Sequence, residues 1–259
     1  MKTDEARKTT EDAFDELATA LAAGQSEKLT AFLAAMARFH RYSFGNVLLL
    51  AMQRPDATRV AGFNAWKRLG RHVKRGEKGL AIIAPIVYRK DDDDAEDGRA
   101  VRGFKVAHVF DVAQTEGEPL PEFASVAGDP GGNMERLKAL VASRGIELQY
   151  SDSLGSALGT SAGGVIKIAT GLSPAKEFSV LVHELAHEAL HHVPEERASK
   201  TVRETEAEAV AFIVCRAVGL DTGSAASDYI QLYSGDKDTL AESLGRIQGT
   251  ASDILAALT

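Results

Sequence analysis

The pentapeptide His183-Glu184-Leu185-Ala186-His187 is the feature that most restricts how this chain can fold. Residues four apart lie on one face of an α-helix, so the segment predicts a helix whose two imidazoles can bind one metal ion. Zinc takes such nitrogen ligands at about 2.0–2.1 Å. Glu184 projects beside that ion, where its carboxylate can take a proton from water that zinc has acidified. The pattern is typical of zinc-dependent hydrolysis of a peptide or a similar carbonyl.

A second helix, predicted over residues 202–218, supplies the third ligand. Its segment 204–208 places Glu204 and Glu208 on one face, whereas Glu206 points elsewhere. We assign Glu204 as the third metal ligand, with Glu208 as its main rival for that position. In this assignment Glu208 accepts the outer N–H of a ligating imidazole. A metal other than zinc remains open, because nitrogen and oxygen ligands do not select zinc strongly.

Two further histidines follow the pentapeptide. His191 extends the row of 183 and 187, but this row spans about 12 Å, too far for one ion to use all three imidazoles. The metzincin spacing is absent, because Val193 stands where that class has its third histidine. We expect His191 and His192 to form the polar end of the helix. His191 is also a weak candidate, with Tyr229 and Tyr233, for stabilising the oxyanion of the transition state.

The net charge of −7 hides a basic segment. Residues 36–78 hold ten Lys or Arg and two acidic residues, so this segment is +8 and the rest of the chain is −15. The block predicts binding to a polyanion, although a solvated basic face explains the charge equally well. Gly76 allows the cationic loop 71–78 to turn tightly and to bring backbone amides near phosphate. The candidate platforms for unpaired bases are Tyr42, Phe44, Phe63 and Trp66, with packing onto the strands as the alternative for Phe63 and Trp66.

Hydrophobic periodicity and turn residues divide the chain into two modules. In the first module the pattern predicts helices over 3–23, 26–39, 44–53 and 63–69, followed by strands over 80–88 and 101–111 on either side of an acidic turn. In the second module it predicts a helix over 134–144, strands over 146–150 and 165–169, and helices over 173–191, 202–218 and 238–258. Residues 114–132, with three prolines and four glycines, predict a linker.

We therefore predict an α+β fold with domains at 1–113 and 133–259. A single cysteine, Cys215, excludes an intramolecular disulfide framework. The absence of a long apolar run and of a signal peptide leads us to expect a cytoplasmic protein without a membrane partner.

The chain resembles the ArdC-type antirestriction proteins, which join a single-stranded-DNA-binding domain to a zincin-like metallopeptidase domain. The N-terminal resemblance lies in Asn46-Val-Leu-Leu-Leu, Gln53-Arg-Pro, Trp66-Lys-Arg-Leu-Gly-Arg and Val73-Lys-Arg-Gly-Glu-Lys-Gly. The C-terminal resemblance lies in the pentapeptide and in Glu204-Thr-Glu-Ala-Glu. The catalytic half also resembles the ImmA/IrrE peptidases. The stretch after the pentapeptide departs from the family pattern, so the resemblance does not identify the substrate of this chain.

The resemblance implies a helical and β-hairpin domain that binds single-stranded DNA, followed by a small zincin-like domain that cleaves an unidentified protein. It also implies that the protein protects incoming mobile-element DNA from restriction. The candidate DNA-binding residues are Arg41, Tyr42, Asn46, Trp66, Lys67, Arg71, Lys74, Arg75 and Lys78. Two alternatives stay open: a DNA-binding protection protein whose zinc site is purely structural, and an ImmA/IrrE-like regulatory peptidase that cleaves a repressor.

Overall fold

The protein has a mixed α+β fold, as predicted. The computed structural model describes residues 2–23, 25–89, 99–118, 129–155, 157–191, 199–220 and 237–259. The acidic turn, most of the predicted linker, His192, Tyr229 and Tyr233 lie outside these residues. The helices are α1 (Thr3–Ala22), α2 (Ser26–Arg38), α3 (Phe44–Gln53), α4 (Phe63–Arg68), α5 (Asn133–Ser143), α6 (Pro174–Leu190), α7 (Lys200–Ala217) and α8 (Lys237–Leu258). The strands are β1 (Val60–Gly62), β2 (Arg71–Val73), β3 (Leu80–Arg89), β4 (Arg99–Asp111), β5 (Thr115–Gly117), β6 (Glu147–Ser151), β7 (Gly159–Ser161) and β8 (Val165–Ala169).

The chain forms two compact units that are not continuous in sequence. The first comprises residues 1–16 and 45–121, and the second comprises residues 17–44 and 122–259. Residues 17–44, which the sequence assigned to the N-terminal domain, thus group with the C-terminal half. The predicted linker begins too early, because β5 pairs with β2 and belongs to the first unit.

The first unit contains the long hairpin of β3 and β4, with β1 on the outer side of β4. Helix α3 covers the other edge of β3 through two side-chain amides. Asn46 donates to Ile83 O at 2.8 Å and accepts from Ile83 N at 2.8 Å. Gln53 makes the same pair of hydrogen bonds with Ala81, at 2.9 and 2.8 Å. These amides satisfy backbone groups that a neighbouring strand would otherwise bind, and so protect an open sheet edge.

The second unit packs α6 against α7 and against a small sheet in the order β6-β8-β7. Strand β8 is parallel to β6 and antiparallel to β7. Ile166 and Ile168 of β8 are fully buried, as are Phe178, Leu181 and Leu185 of α6. This core fixes the position of α6, the helix that carries the pentapeptide. None of the helices in the described part of the chain is long and apolar enough to cross a membrane.

Candidate metal centre

Helix α6 presents the two histidines of the pentapeptide at the edge of the core. Ser173 precedes the helix in an extended conformation and Pro174 occupies its first turn, as the sequence predicts. Leu185 and Ala186, which lie between the histidines, are buried, whereas His183 and His187 are half-buried. The helix therefore turns its apolar side inward and keeps both imidazoles accessible from one direction.

Helix α7 brings Glu204 to the same place. The Ser199 side chain accepts from Val202 N at the start of this helix, and Glu204 follows within its first two turns. The Glu204 Oε2 atom lies 3.5 Å from His183 Nε2 and 3.5 Å from His187 Nε2. The two Nε2 atoms lie 3.1 Å apart. The sequence therefore predicted correctly that these three side chains come together.

The spacing of these donor atoms fits one small divalent cation. Around a tetrahedral ion with ligands at about 2.0–2.1 Å, two ligand atoms stand about 3.3–3.4 Å apart. The three observed separations, 3.1, 3.5 and 3.5 Å, lie on either side of that value. Two imidazole nitrogens and one carboxylate are also a donor set that several divalent metals accept. His183, His187 and Glu204 could therefore hold one ion and leave a ligand position open.

Burial keeps both histidines ready to bind a metal. The pKa of His183 and that of His187 are lowered, chiefly because burial disfavours the charged ring. For His187 the neighbouring His183 lowers the pKa further, while Glu204 opposes the change in both cases. The imidazoles are therefore neutral at pH 7 and need not lose a proton before they bind an ion.

Glu184 lies beside the candidate ligands and is only 7% exposed. Burial, followed by the negative charges of Glu204 and Glu188, raises its pKa from 4.5 to about 7. A carboxyl group with such a pKa can both accept and release a proton near neutral pH. This position and this pKa are what the role of a general base and acid requires.

Strand β7 passes directly over Glu184. A Cβ atom at Gly159 would lie 2.6 Å from Val180 Cγ1 and 2.7 Å from Glu184 Oε1, so the strand can approach this closely only at a glycine. Glu188 secures the following turn, because its carboxylate accepts from Gly163 N at 3.0 Å and Gly164 N at 2.9 Å. The outer strand of the small sheet is thus held against the helix of the pentapeptide.

His187 contacts a second histidine on its outer side, with a buried carboxylate behind it. His187 Nδ1 lies 3.1 Å from His191 Nδ1, and His191 Nε2 donates to Glu206 Oε2 at 2.8 Å. Glu206, which helical spacing placed away from the site, is completely buried and lies behind His191. For His187 the outer contact is therefore His191 followed by Glu206. Glu208 is half-buried on α7, and its predicted contact with an imidazole stays a prediction.

Glu206 remains charged in spite of its burial. Burial raises its pKa, but hydrogen bonds from His191, Ser243 and Arg246 outweigh that effect and leave the pKa below its usual value. Arg246 Nη2 lies 2.7 Å from Glu206 Oε1, and the Ser243 hydroxyl donates to the same oxygen. Both partners come from α8, so this helix also supports the site. No sequence pattern indicated this support, because α8 carries no recognisable motif.

Two of the predicted DNA-binding residues are used by the fold. Trp66 is only 2% exposed, and its indole N–H donates to Phe110 O at 2.8 Å. The buried ring offers no face on which a base could stack, so the packing alternative is the correct one. Asn46 is 8% exposed, and both ends of its amide bind the backbone of β3. Neither side chain is available for DNA in this structure.

Two of the predicted cations also bind the protein itself. The guanidinium of Arg71 donates to the hydroxyl and the carbonyl of Thr115 at 2.8 and 3.1 Å, and so ties β2 to β5. The ammonium of Lys74 donates to Ala113 O at 2.9 Å. Their positive charge still contributes to the local potential, although their donor atoms are partly occupied.

The remaining predicted DNA-binding residues lie at the surface. Lys67, Arg75 and Lys78 of the first unit are exposed, and Gly76 turns the loop between the last two with a φ of 88°. In the second unit, Arg41 is exposed and Tyr42 is half-buried, and both line a cleft beside α8. Phe63, another of the aromatic candidates, is 55% exposed, and its ring meets that of Phe110 edge to face.

Comparison with known proteins finds a family whose model matches the N-terminal part of the chain. Residues 8–112 match the N-terminal domain of anti-restriction factor ArdC. The metal-free crystal structure of antirestriction ArdC protein from the R388 plasmid aligns with a TM-score of 0.54 at 18% identity, covering 96% of this chain and 97% of that chain. The Mn(II)-bound structure of the same protein aligns with a TM-score of 0.55 at 17% identity, covering 96% and 98%.

An uncharacterized protein of Bacillus anthracis is 29% identical over 276 residues, which cover 85% of this chain and 46% of that protein. The chain therefore spans about half the length of this relative. Together the matches confirm the predicted resemblance to ArdC in the N-terminal domain, and the structural alignments extend it to the mixed α+β fold of the described chain.

Proposed function

We propose that this ArdC-type protein binds single-stranded DNA through its basic N-terminal part and hydrolyses a peptide substrate at a divalent metal in its C-terminal half. The observation that carries the proposal is the triangle of His183, His187 and Glu204 with the buried carboxyl of Glu184 beside it. Binding of Mn(II) by the ArdC protein of the R388 plasmid supports a divalent ion in this chain as well. Zinc and manganese are the two ions to be tested first.

In this proposal the three ligands hold the metal ion, and Glu184 transfers protons. A divalent ion held by the three ligands would supply a Lewis acid that acidifies water and polarises a carbonyl group. Glu184 takes the proton of the attacking water on its carboxylate and then delivers that proton to the leaving amine. Its raised pKa suits both steps near neutral pH, because the same group must be a base and then an acid.

The outer edge of β7 is a suitable place for the substrate. In the described part of the chain, β7 pairs only with β8, so its other edge has backbone groups available for an extended peptide. A peptide added there would run beside Glu184, since Gly159 of β7 packs against this side chain. The edge offers backbone hydrogen bonds and little selection of side chains, which leaves the peptide sequence undefined.

The DNA-binding part of the proposal rests on charge. In the loop after β2, Arg75 and Lys78 are exposed on either side of a glycine turn, and Lys67 is exposed on α4. Such cations bind phosphates and release counterions, so that affinity decreases as the salt concentration increases. Together the two activities would act on a protein bound to single-stranded DNA and protect incoming mobile-element DNA against restriction.

The DNA-binding half is tested by a matched pair of double variants. Arg75→Gln with Lys78→Gln removes two charges from the loop, and Arg144→Gln with Lys167→Gln removes two exposed charges elsewhere. Binding of a fluorescent single-stranded oligonucleotide is measured between about 50 and 300 mM salt, a range that includes physiological ionic strength. We expect the first pair alone to weaken binding and to reduce the slope of log K against log salt by about 1.4. Equal effects of both pairs would contradict a specific role of the loop.

The hydrolytic half is tested with unfolded casein as the substrate, in the presence of Mn²⁺ or Zn²⁺ and of single-stranded DNA. We expect cleavage by the wild type and none by Glu184→Gln, although this variant keeps all three ligands. Cleavage that persists in the variant would exclude Glu184 as the base. Metal binding without cleavage by either protein would favour a structural role of the metal.

A further inference from the structure

A continuous row of side chains leads from the candidate metal centre into the protein interior. His183 Nε2 lies 3.1 Å from His187 Nε2, and His187 Nδ1 lies 3.1 Å from His191 Nδ1. His191 Nε2 lies 2.8 Å from Glu206 Oε2. The side chains of His191 and Glu206 are 8% and 1% exposed, so the inner half of the row is shielded from water. None of the residues in this inner half is a metal ligand.

The inner end of the row determines where the protons lie along it. An ionised carboxylate can only accept, so Glu206 requires a proton on His191 Nε2. With its proton on Nε2, the His191 ring has a lone pair on Nδ1, which accepts a hydrogen bond from His187 Nδ1. His187 consequently keeps the lone pair of Nε2, the atom that faces His183 and Glu204. The row thus selects the one neutral form of His187 that can bind a metal through Nε2.

The opposite arrangement shows why the inner residues matter. If His191 Nδ1 carried the proton, it would donate to His187 Nδ1, and the proton of His187 would move to Nε2. A metal could then not bind until that proton was removed. The charge on Glu206 prevents this, and Arg246 and Ser243 maintain the charge by donating to Glu206 Oε1. A buried carboxylate needs such partners because it has lost its water.

We propose that His191 and Glu206 are positioning residues that hold His187 with its proton on Nδ1 and its Nε2 lone pair directed at the metal. This inference rests on the proposed function of His183, His187 and Glu204 as ligands. Residues behind a ligating histidine commonly contribute about 10- to 100-fold to metal affinity, because they fix the orientation and the protonated nitrogen of the ring.

Three variants separate this role from simple packing. His191→Phe keeps an aromatic ring but removes the acceptor for His187 Nδ1, and Glu206→Gln keeps the shape but removes the charge. His191→Asn retains an oxygen acceptor close to the position of His191 Nδ1. Glu177→Gln is the matched control, because Glu177 lies in the first turn of the same helix and accepts from the Tyr150 hydroxyl instead.

The first measurement is the Kd for Mn²⁺ and for Zn²⁺, obtained by competition with a chromophoric chelator, with circular dichroism to verify the fold. We expect His191→Phe and Glu206→Gln to weaken binding by about 10- to 100-fold. His191→Asn should recover most of that loss, and Glu177→Gln should bind as the wild type does. Wild-type affinity in a folded His191→Phe protein would overturn the proposal.

The second measurement needs no variant and no metal. Long-range ¹H–¹⁵N spectra of the metal-free wild type report which ring nitrogen of each histidine is protonated. We expect a proton on Nδ1 of His187 and on Nε2 of His191; a proton on His187 Nε2 would overturn the proposal even if a variant failed to fold. If the wild type bound neither ion while the spectra showed the expected protons, the metal centre would be wrong and the hydrogen-bonded row correct.

Discussion

Replacement of Glu184 by glutamine should make the metal-free protein more stable at alkaline pH. The pKa of this carboxyl group is raised from 4.5 to about 7, first by burial and then by the charges of Glu204 and Glu188. Above pH 7 the folded protein therefore contains a buried negative charge. The same charge has a lower free energy in the unfolded chain, because water solvates it there. Each pKa unit corresponds to about 1.4 kcal/mol, so the shift from 4.5 to about 7 corresponds to about 3 kcal/mol. Glutamine has nearly the same shape and no charge.

The sign follows from the protons that each state binds. Between pH 4.5 and about 7 the folded state holds a proton on Glu184 that the unfolded state has lost, so the stability of the wild type falls as the pH rises through this range. Glu184→Gln lacks this dependence. We therefore expect an advantage of about 2–3 kcal/mol for the variant at alkaline pH, and less than about 1 kcal/mol near pH 5.

The assay is urea denaturation of both proteins with a chelator present, at pH 5 and at pH 8.5. The chelator is necessary because a bound cation would stabilise the charge of Glu184 and hide the effect. Glu242→Gln, at an exposed position of α8, is the matched control and should change the free energy of unfolding by less than about 0.5 kcal/mol. If Glu184→Gln were no more stable than the wild type at pH 8.5, or equally favoured at both pH values, the argument from burial would be refuted.

Two further substitutions test the packing. Trp66→Phe leaves Phe110 O without its buried donor, so it should lower the free energy of unfolding by about 1–2 kcal/mol and leave oligonucleotide affinity unchanged; weaker DNA binding at full stability would show that the indole contacts bases. Gly159→Ala forces a Cβ atom against Val180 and Glu184, so thermal denaturation should reveal a loss of about 1–3 kcal/mol, together with slower cleavage of casein. An unchanged protein would show that β7 does not lie against this helix.

The long elements could be read from the sequence because their signals are local. The apolar spacing and the flanking breakers of 44–53 predicted α3 at its observed bounds, Phe44–Gln53. The alternating residues of 101–111 likewise predicted most of β4. In contrast, β1, β2, β5 and β7 have three residues each, too few to show a period. These short strands exist because a partner strand satisfies their backbone groups, and for β1, β2 and β5 that partner lies more than 40 residues away in sequence.

The candidate ligands were predictable for a similar reason. The spacing of His183 and His187 is set by one helix, so the shared face follows from helical geometry alone. Placing Glu204 required only that a second helix pack on the first. His191 and Glu206 depend instead on three helices, because Arg246 and Ser243 of α8 complete the contacts of the carboxylate. A pattern confined to one helix cannot report a contact that three helices make.

The two mistaken DNA-binding assignments, Asn46 and Trp66, have a common cause. Amide and indole groups can bind bases, but they are equally suited to backbone groups that have no other partner. The edge of β3 leaves such groups, and Asn46 binds one pair of them; Trp66 binds the carbonyl of Phe110 in the same way. Burial of a charged side chain costs more free energy than burial of an amide, because the charge loses more hydration. The exposed cations Lys67, Arg75 and Lys78 are therefore better evidence for a polyanion site than any polar or aromatic residue of the segment.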